Sequence, residues 1–536
     1  MNNESELLLL LTDKTLTQLC LDDGYTFVTR DGGVHTCNAL APHLDTIIRH
    51  VKGMKMMVGK TVEIHTTSPT TVETMIEIMT QSSISQDAQN TEKTTALGNQ
   101  LATLCQAAVD INASDIHLEV YRETTRFLVR VDGDREILTR FSDGKSASHQ
   151  PRHVGISLMS YIFGTLGEQD AKLRDPANDR FEIAIPWKGK VKVFEWRAAL
   201  IPINKGVKLT LRCLTQRDKA LTLDDMDLPP PYIDLLLLMI NKRNGAIVIT
   251  GPMGSGKSSL MYALTETIDR VARSCHSLED PVEFEQDFVC KTTVEPNKET
   301  VQGSKVYRDY AFYSKETLRH DVDVSQTGEC RDYATAKEYC RKGETGGLAL
   351  TSLHTNSAMG VPQTFIQQLG IPASVVGSPD LMLMFVHQRL IKKLCQECAL
   401  PLNDDATRTL YEAAGREQEY ATKRQQLHTL FTPDQQTALR VAHPQGCEHC
   451  QSRGEKGRLV VMEIIVLEDA DRAFIANEET HKWKAHLKAA GWPDIRDHTL
   501  SRIRRGQLDI TAAAKHIDGL LPNHAQNHYT AMRDAL

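Results

Sequence analysis

The run Gly251-Pro-Met-Gly-Ser-Gly-Lys-Ser258 spells G-x-x-x-x-G-K-S. Glycines at this spacing let backbone N–H groups converge on phosphate oxygens, and a helix that follows adds positive potential at its N-terminus. In that arrangement Gly251, Pro252, Met253, Gly254, Ser255, Gly256, Lys257, Ser258 and Ser259 cradle a nucleoside triphosphate. Lys257 reaches the β- and γ-phosphates, and Ser258 ligates Mg²⁺. A second set of residues suits a different metal. Cys395-Gln-Glu-Cys398 and Cys447-Glu-His-Cys450 are two C-x-x-C knuckles, each able to grip one side of a tetrahedral Zn²⁺. Four thiolates leave no open coordination position, so such a zinc is structural. The 48 residues between the knuckles exceed the common zinc-ribbon spacing of about 15–20. The other eight cysteines are scattered and read as small buried hydrophobes.

Three stretches after the glycine loop carry acids or a histidine. In Ser277-Leu-Glu-Asp-Pro-Val-Glu-Phe284, Glu279 ends a strand-like run and could position a Mg²⁺-bound water. Taken alone, the stretch is an ordinary acidic turn. Residues 318–332 hold Asp321-Val-Asp323 and then Gly328-Glu329, where Glu329 could polarise an attacking water. The strand before it, Val324-Ser-Gln-Thr327, reads as too polar for the centre of a parallel sheet. Residues 348–353 read as a buried strand ending on His354-Thr-Asn356, and His354 could sense a γ-phosphate by hydrogen bonding. A lone histidine is otherwise a structural one.

These residues need elements to position them. Residues 246–250 are a short apolar, β-branched run that reads as a buried strand, and 259–268 have helical spacing. Strand, glycine loop and helix together make the phosphate-loop reading specific. At 536 residues the chain exceeds a single core, so several domains are expected. Residues 1–95 carry no chemical motif and read as a small docking domain. Within them a hairpin is expected around Asp22-Asp23-Gly24, an amphipathic helix over 44–58 and a polar linker over 80–95. Residues 96–225 read as a helix over 97–111 and a mostly antiparallel sheet, with a turn at Asp132-Gly-Asp134. His117 is expected to make a local hydrogen bond on a strand. Pro229-Pro-Pro231 breaks the chain, and αβ alternation follows over 226–536. Residues 399–446 are expected to project as a helical insertion. Arg502-Ile-Arg-Arg505 reads as a solvated face, and the residues from 522 as a frayed tail.

A formal charge of −7 gives no general pull toward nucleic acid. No run of about 18 apolar residues is present to span a membrane. The first residues, Met-Asn-Asn-Glu-Ser-Glu, lack a basic region and a cleavage site, so a cytosolic protein with reduced thiols is expected.

The motifs follow one another in an order that resembles the type II secretion and type IV pilus assembly ATPases. Glu279-Asp-Pro-Val-Glu283 looks like their Asp box, Gly328-Glu329-x-Arg331-Asp332 like their Walker B segment, and Leu353-His-Thr-Asn356 like their His box. Ala113-Ser-Asp-Ile-His-Leu-Glu119 with Arg130-Val-Asp-Gly133 looks like the signature of their second N-terminal domain. The flanks of the cysteine pairs, His387-Gln-Arg-Leu and Gly457-Arg-Leu-Val, resemble the surroundings of the tetracysteine site of assembly-type motors, which retraction motors lack. The resemblance covers about 96–515. It implies an α/β fold, a RecA-like P-loop domain behind a PAS-like α+β domain and a small N-terminal domain. It implies a homo-hexamer that uses ATP, Mg²⁺ and Zn²⁺, Glu329 as catalytic glutamate, and Arg197 and Arg212 reaching a nucleotide to neutralise transition-state charge. The chain departs from the family where Gly347 replaces a frequent second histidine and where Asp321-Val-Asp323 replaces Asp-Pro-Asp.

The function expected is a cytoplasmic motor, peripheral at the inner membrane, that hydrolyses ATP to drive pilin polymerisation through an inner-membrane platform protein. The short first segment favours the pilus. The alternatives are a type II secretion ATPase, a conjugation or nucleic-acid-translocating ATPase, and a nucleotide-binding scaffold that hydrolyses little. No nucleic-acid partner is expected.

Overall fold

Local chemistry explains the first elements of the chain. Asp13 accepts the Leu16 N–H at 2.9 Å and caps a helix over Lys14–Asp23, and Gly24, at φ +69°, ends it in the left-handed conformation. The expected hairpin around Gly24 is therefore a helix followed by the strand Thr26–Val28. Residues alternating in hydrophobicity here also satisfy helical spacing, and the two caps decide between the readings. The computed structural model describes residues 13–29, 31–167, 175–215, 221–522 and 525–536. They form two compact units, the first mostly up to Arg212 and the second mostly from Cys213, with 111–115 and 129–136 grouped with the second.

In the first unit a three-stranded sheet packs with the amphipathic helix Leu44–Gly53, which buries Leu44, Ile47 and Val51. The polar stretch 80–95 is not an irregular linker. It lies inside one helix, Pro69–Asp110, because no Gly or Pro interrupts the chain between 70 and 97. The second sheet has seven strands, six of them ordered 134–137, 124–131, 115–120, 206–213, 190–203 and 177–187. Asp132 and Gly133 both have positive φ and make the tight turn expected there. His117 is buried and bonds Thr210 Oγ1 at 3.3 Å.

The second unit is organised on Gly245–Thr250 (β1), buried along its whole length, as a central parallel strand requires. Lys257–Glu266 (α1) follows the glycine loop. Then come Cys275–Glu279 (β2), Val289–Thr293 (β3), Tyr310–Thr317 (α2), Val324–Thr327 (β4), Tyr333–Glu344 (α3) and Leu348–Leu353 (β5). Met382–Leu394 (β6), Asp405–Ala413 (α4), Glu417–Leu430 (α5), Glu455–Val466 (β7), Ile495–Arg504 (α6) and Ile510–His516 (α7) complete the set used below. The sheet order is β3-β2-β4-β5-β1-β6-β7, parallel except for the antiparallel β6–β7 pair. Ile247 and Ile249 pack with Leu260 and Leu264 of α1 on one face. Ala246 and Val248 share the other face with Tyr339 of α3 and Phe365. The parallel strands thus bring their C-terminal ends, where a ligand crevice forms, to the glycine loop.

Four expectations are corrected here. The polar run 324–327 is a central strand, fully buried. Its side chains find partners that a single strand does not reveal. Gln326 Nε2 donates to Met261 O at 3.3 Å and to Thr265 Oγ1 of α1, and the Thr327 carbonyl accepts from Thr351 Oγ1 at 2.9 Å. The insertion 399–446 does not project. Leu402, Tyr411, Tyr420 and Leu427 are buried with Ile391 and Val461 of the sheet and with Ile503, Leu508 and Ile510. Arg502 is not on a solvated face: it is 1% exposed and donates to Gln507 Oε1 at 3.1 Å and Asp227 Oδ2 at 3.3 Å. The tail also differs, since Ala525–Asp534 is helical.

Within the insertion core, Lys423 Nζ lies 2.9 Å from Asp509 Oδ2 and 3.0 Å from Glu419 Oε1. Burial penalises the Lys423 ammonium, but these carboxylates outweigh it and hold the ammonium charged. Replacing Asp509 with Ala leaves that charge without its buried partner. The expected loss is about 3 kcal/mol, read as a lower midpoint for the denaturant transition of this module, with less loss in the Lys423→Met/Asp509→Leu double variant.

Candidate active site and candidate metal centre

The glycine loop is held from two sides. Gly251 stands where an added Cβ would lie 2.3 Å from the Gln388 carbonyl and 2.6 Å from Ser255 Oγ, so no side chain fits. Gln388 Nε2, from β6, donates to Ser255 O at 2.7 Å. Gly256, at φ +86°, turns the chain into α1, and Lys257, Ser258 and Ser259 form its first turn. The helix N-terminus therefore faces the loop with unpaired N–H groups, as anion binding requires.

Lys257 is buried and folded back on the loop. Its Nζ donates to Gly251 O at 3.0 Å and Pro252 O at 3.1 Å. Burial lowers its pKa from 10.5 to about 8, with Glu329 pulling in the opposite direction. His354 Nδ1 lies 3.1 Å from the Gly251 carbonyl, which can only accept, so this contact assigns the proton to Nδ1. His354 Nε2 lies 3.5 Å from Glu329 Oε1. Glu329 Oε2 is paired with Arg331 Nη2 at 2.8 Å, and this bond raises the guanidinium pKa further. Thr250 Oγ1 accepts the Thr355 N–H at 2.9 Å and pins the end of β1 to the residue after His354.

Lys257, Glu329 and His354 are thus brought together around the Gly251 carbonyl. Glu279 is engaged differently. Its side chain is buried and contacts Ser277, Tyr262 and Lys291. Arg197 and Arg212 are exposed on 190–203 and 206–213, neighbouring strands of the seven-stranded sheet. Asp332, beside Glu329, caps α3 by accepting the Thr335 N–H at 2.8 Å. Sequence reasoning missed the roles of Gln388, Tyr262, Ser277 and Lys291: Gln388 and Ser277 lie inside quoted stretches and Tyr262 is one helical turn after Ser258, but no spacing rule says what their side chains touch. Arg331 lies inside the quoted motif, but nothing in a motif says that it pairs with the glutamate two residues away.

The four cysteines converge. All their Sγ atoms lie within 4.8 Å of one another, with Cys395–Cys447 and Cys398–Cys450 at 3.8 Å and Cys447–Cys450 at 3.7 Å. Four sulfurs about 2.3 Å from a tetrahedral zinc stand about 3.8 Å apart. The N–H groups of Cys447 and Gly454 donate to Cys450 Sγ at 3.1 and 3.2 Å, the support a thiolate needs. The cluster fits zinc and offers no position for a reacting ligand.

Among known proteins, the model of the family described as Type II/IV secretion system protein matches residues 90–515. The chain is 28% identical over 401 residues to the type II secretion system ATPase E of Vibrio cholerae, covering 74% of this chain and 71% of that protein. It is 26% identical over 416 residues to the type IV pilus assembly ATPase PilB of Acinetobacter baylyi, covering 75% and 63%. Its fold is similar to that of the Legionella pneumophila ATPase DotB, with a TM-score of 0.53 at 16% identity over 78% of this chain and 94% of that one.

Two outcomes are expected. kcat/KM for ATP, which reports the free protein, should fall above pH ~8, about tenfold per unit, as Lys257 loses its proton. Its ordinary value would place that limb near 10.5. Elemental analysis should find about one zinc per chain. Cys447→Ser should lose it and lower the melting temperature by several degrees (roughly 2–4 °C per kcal/mol lost).

Proposed function

The chain belongs to the Type II/IV secretion system protein family and is an ATPase of it, and on that premise we propose that it is the motor of a type II secretion machine. The curated relatives support this over pilus assembly, which the sequence favoured from a short first segment. The similarity to a pilus assembly ATPase keeps the pilus as the second reading.

The observation that carries the ATP-hydrolysing part of this reading is the contact chain Glu329–His354–Gly251–Lys257 at the glycine loop. Loop N–H groups and the α1 N-terminus bind the triphosphate. Lys257 exchanges the Gly251 and Pro252 carbonyls for phosphate oxygens, which it prefers because they are charged. Ser258 would hold Mg²⁺, and Glu279 would order the water around it. Glu329 leaves Arg331 and polarises the attacking water, while His354 reports the γ-phosphate back to Gly251. Arg197 and Arg212, on a PAS-like 96–225 domain, complete the charge neutralisation in a homo-hexamer. The RecA-like 226–536 domain carries the nucleotide and zinc, and 1–95 docks to partners. ATP turnover drives an inner-membrane platform protein from the cytoplasmic side. Membrane attachment runs through those partners; among the described residues no helix is long and apolar enough to cross a membrane.

The test is turnover with saturating ATP and Mg²⁺. Glu329→Gln should retain nucleotide binding and lose at least about 100-fold in kcat (about 2.7 kcal/mol at about 1.36 per decade). Lys257→Ala should lose nucleotide affinity as well. Parent turnover in Glu329→Gln removes this mechanism. Stimulation by single- or double-stranded DNA would favour a nucleic-acid translocase instead.

A further inference from the structure

Ser258 and Tyr262 are four residues apart on α1 and so share one helix face. Tyr262 donates its hydroxyl proton to Glu279 Oε2, which places that carboxylate one turn along from the candidate Mg²⁺ ligand. Glu279 Oε1 accepts from Ser277 Oγ at 2.6 Å and faces Lys291 Nζ at 3.3 Å. Lys291 arrives from β3, in register with Ser277 of β2. Its side chain is 2% exposed, and its ammonium stands 4.1 Å from the centre of the Tyr262 ring.

A carboxylate offers about four acceptor positions. Ser277 on Oε1 and Tyr262 on Oε2 each fill one by a hydrogen bond, and the Lys291 ammonium holds Oε1 by charge, so the position open to a further donor away from the ammonium is on Oε2. A carboxylate so restricted can accept one more hydrogen, such as one from a metal-bound water, and is poorly placed to serve as a mobile base. The buried ammonium is a costly way to fill space, since a neutral residue of like volume would stabilise the interior at least as well. What it adds is charge beside a carboxylate that must stay ionised and fixed. The other acids acting on Lys291 are Glu285 and Glu266.

We infer that Lys291 is a positioning residue that fixes the ionised Glu279 carboxylate, within the Ser277 and Tyr262 frame, for one metal-bound water at the nucleotide site. The inference rests on the proposed role of Glu279. Lys291 touches neither nucleotide nor metal, and its effect passes through Glu279 alone.

The test uses the full chain, with Mg²⁺ titrated at saturating ATP. Residues that support a metal site from outside typically cost 10–100-fold in metal affinity or activity. Lys291→Gln should lower kcat about tenfold and raise the Mg²⁺ concentration for half-maximal turnover about tenfold. Its KM for ATP should stay within about twofold of the parent, a split that general loosening of the fold would not produce. Lys291→Arg, which keeps the charge, should recover kcat to within about threefold. The Glu279→Gln/Lys291→Gln double variant leaves no unpaired buried charge, so it keeps the test open if a single variant does not fold. It should turn over no more slowly than Glu279→Gln. Parent kcat and Mg²⁺ requirement in Lys291→Gln, with Glu279→Gln impaired, overturns the inference and leaves the role of Glu279 standing. Parent kcat in Glu279→Gln overturns both. Equal losses in Lys291→Arg and Lys291→Gln, or additive losses in the double variant, also overturn the inference.

Discussion

A charge taken out of water must find a partner, and the nucleotide end of the sheet is arranged around that constraint. Lys257 rests on two loop carbonyls, Glu329 on Arg331 and His354, and Glu279 on Ser277, Tyr262 and Lys291. The charged side chains gathered there are already paired by the chain itself, while the N–H groups at the start of α1 stay open. Binding is therefore an exchange of partners, and its free energy is the difference between two well-paired states. The carbonyls under Lys257 are neutral, whereas Glu329 is held by a charged partner, Arg331, that is itself open to solvent.

The same constraint shapes the structure away from the loop. Lys423 enters the core with Asp509, and Arg502 with Asp227 and Gln507. Each pair joins segments distant in sequence. Lys423 ties the insertion to the residue that caps α7, and Arg502 ties α6 to the residues before the nucleotide-binding core. Such pairs add little net stability over apolar replacements, but breaking one is expensive, so they specify which segments belong together.

The parts legible in the sequence are those whose chemistry is local. The glycine spacing, the apolar run 246–250 and the two C-x-x-C knuckles each carry their meaning within a few residues, and the structure has a loop, a strand and a sulfur cluster at those positions. The strand 324–327 was readable as an element but not as a central one, because Gln326 is satisfied by Thr265 and Met261, some sixty residues earlier. Arg502 looked solvated for the same reason, since Asp227 lies 275 residues away. The helix 69–110 hid behind composition, for a polar run without Gly or Pro is compatible with either a linker or a helix. The surroundings of Glu279 were the least legible part of the candidate site. They depend on β3 lying beside β2, and register between parallel strands is not written in either strand alone.

The β6–β7 ladder runs from Met384 opposite Val466 to Leu394 opposite Glu455, and at its open end the chain leaves for the insertion between the cysteines. An ordinary hairpin has its alignment set by a turn of a few residues. Here the two knuckles take the place of that turn, because Cys395 follows one strand directly and Cys450 precedes the other by only a few residues. Alignment of the strands is consequently independent of how long the intervening segment is. As far as the sheet is concerned, residues 399–446 are exchangeable cargo, answerable only for covering Ile391, Leu459 and Val461. A lineage could lengthen, shorten or replace that segment to meet a different neighbour without shifting a single strand pair under the glycine loop.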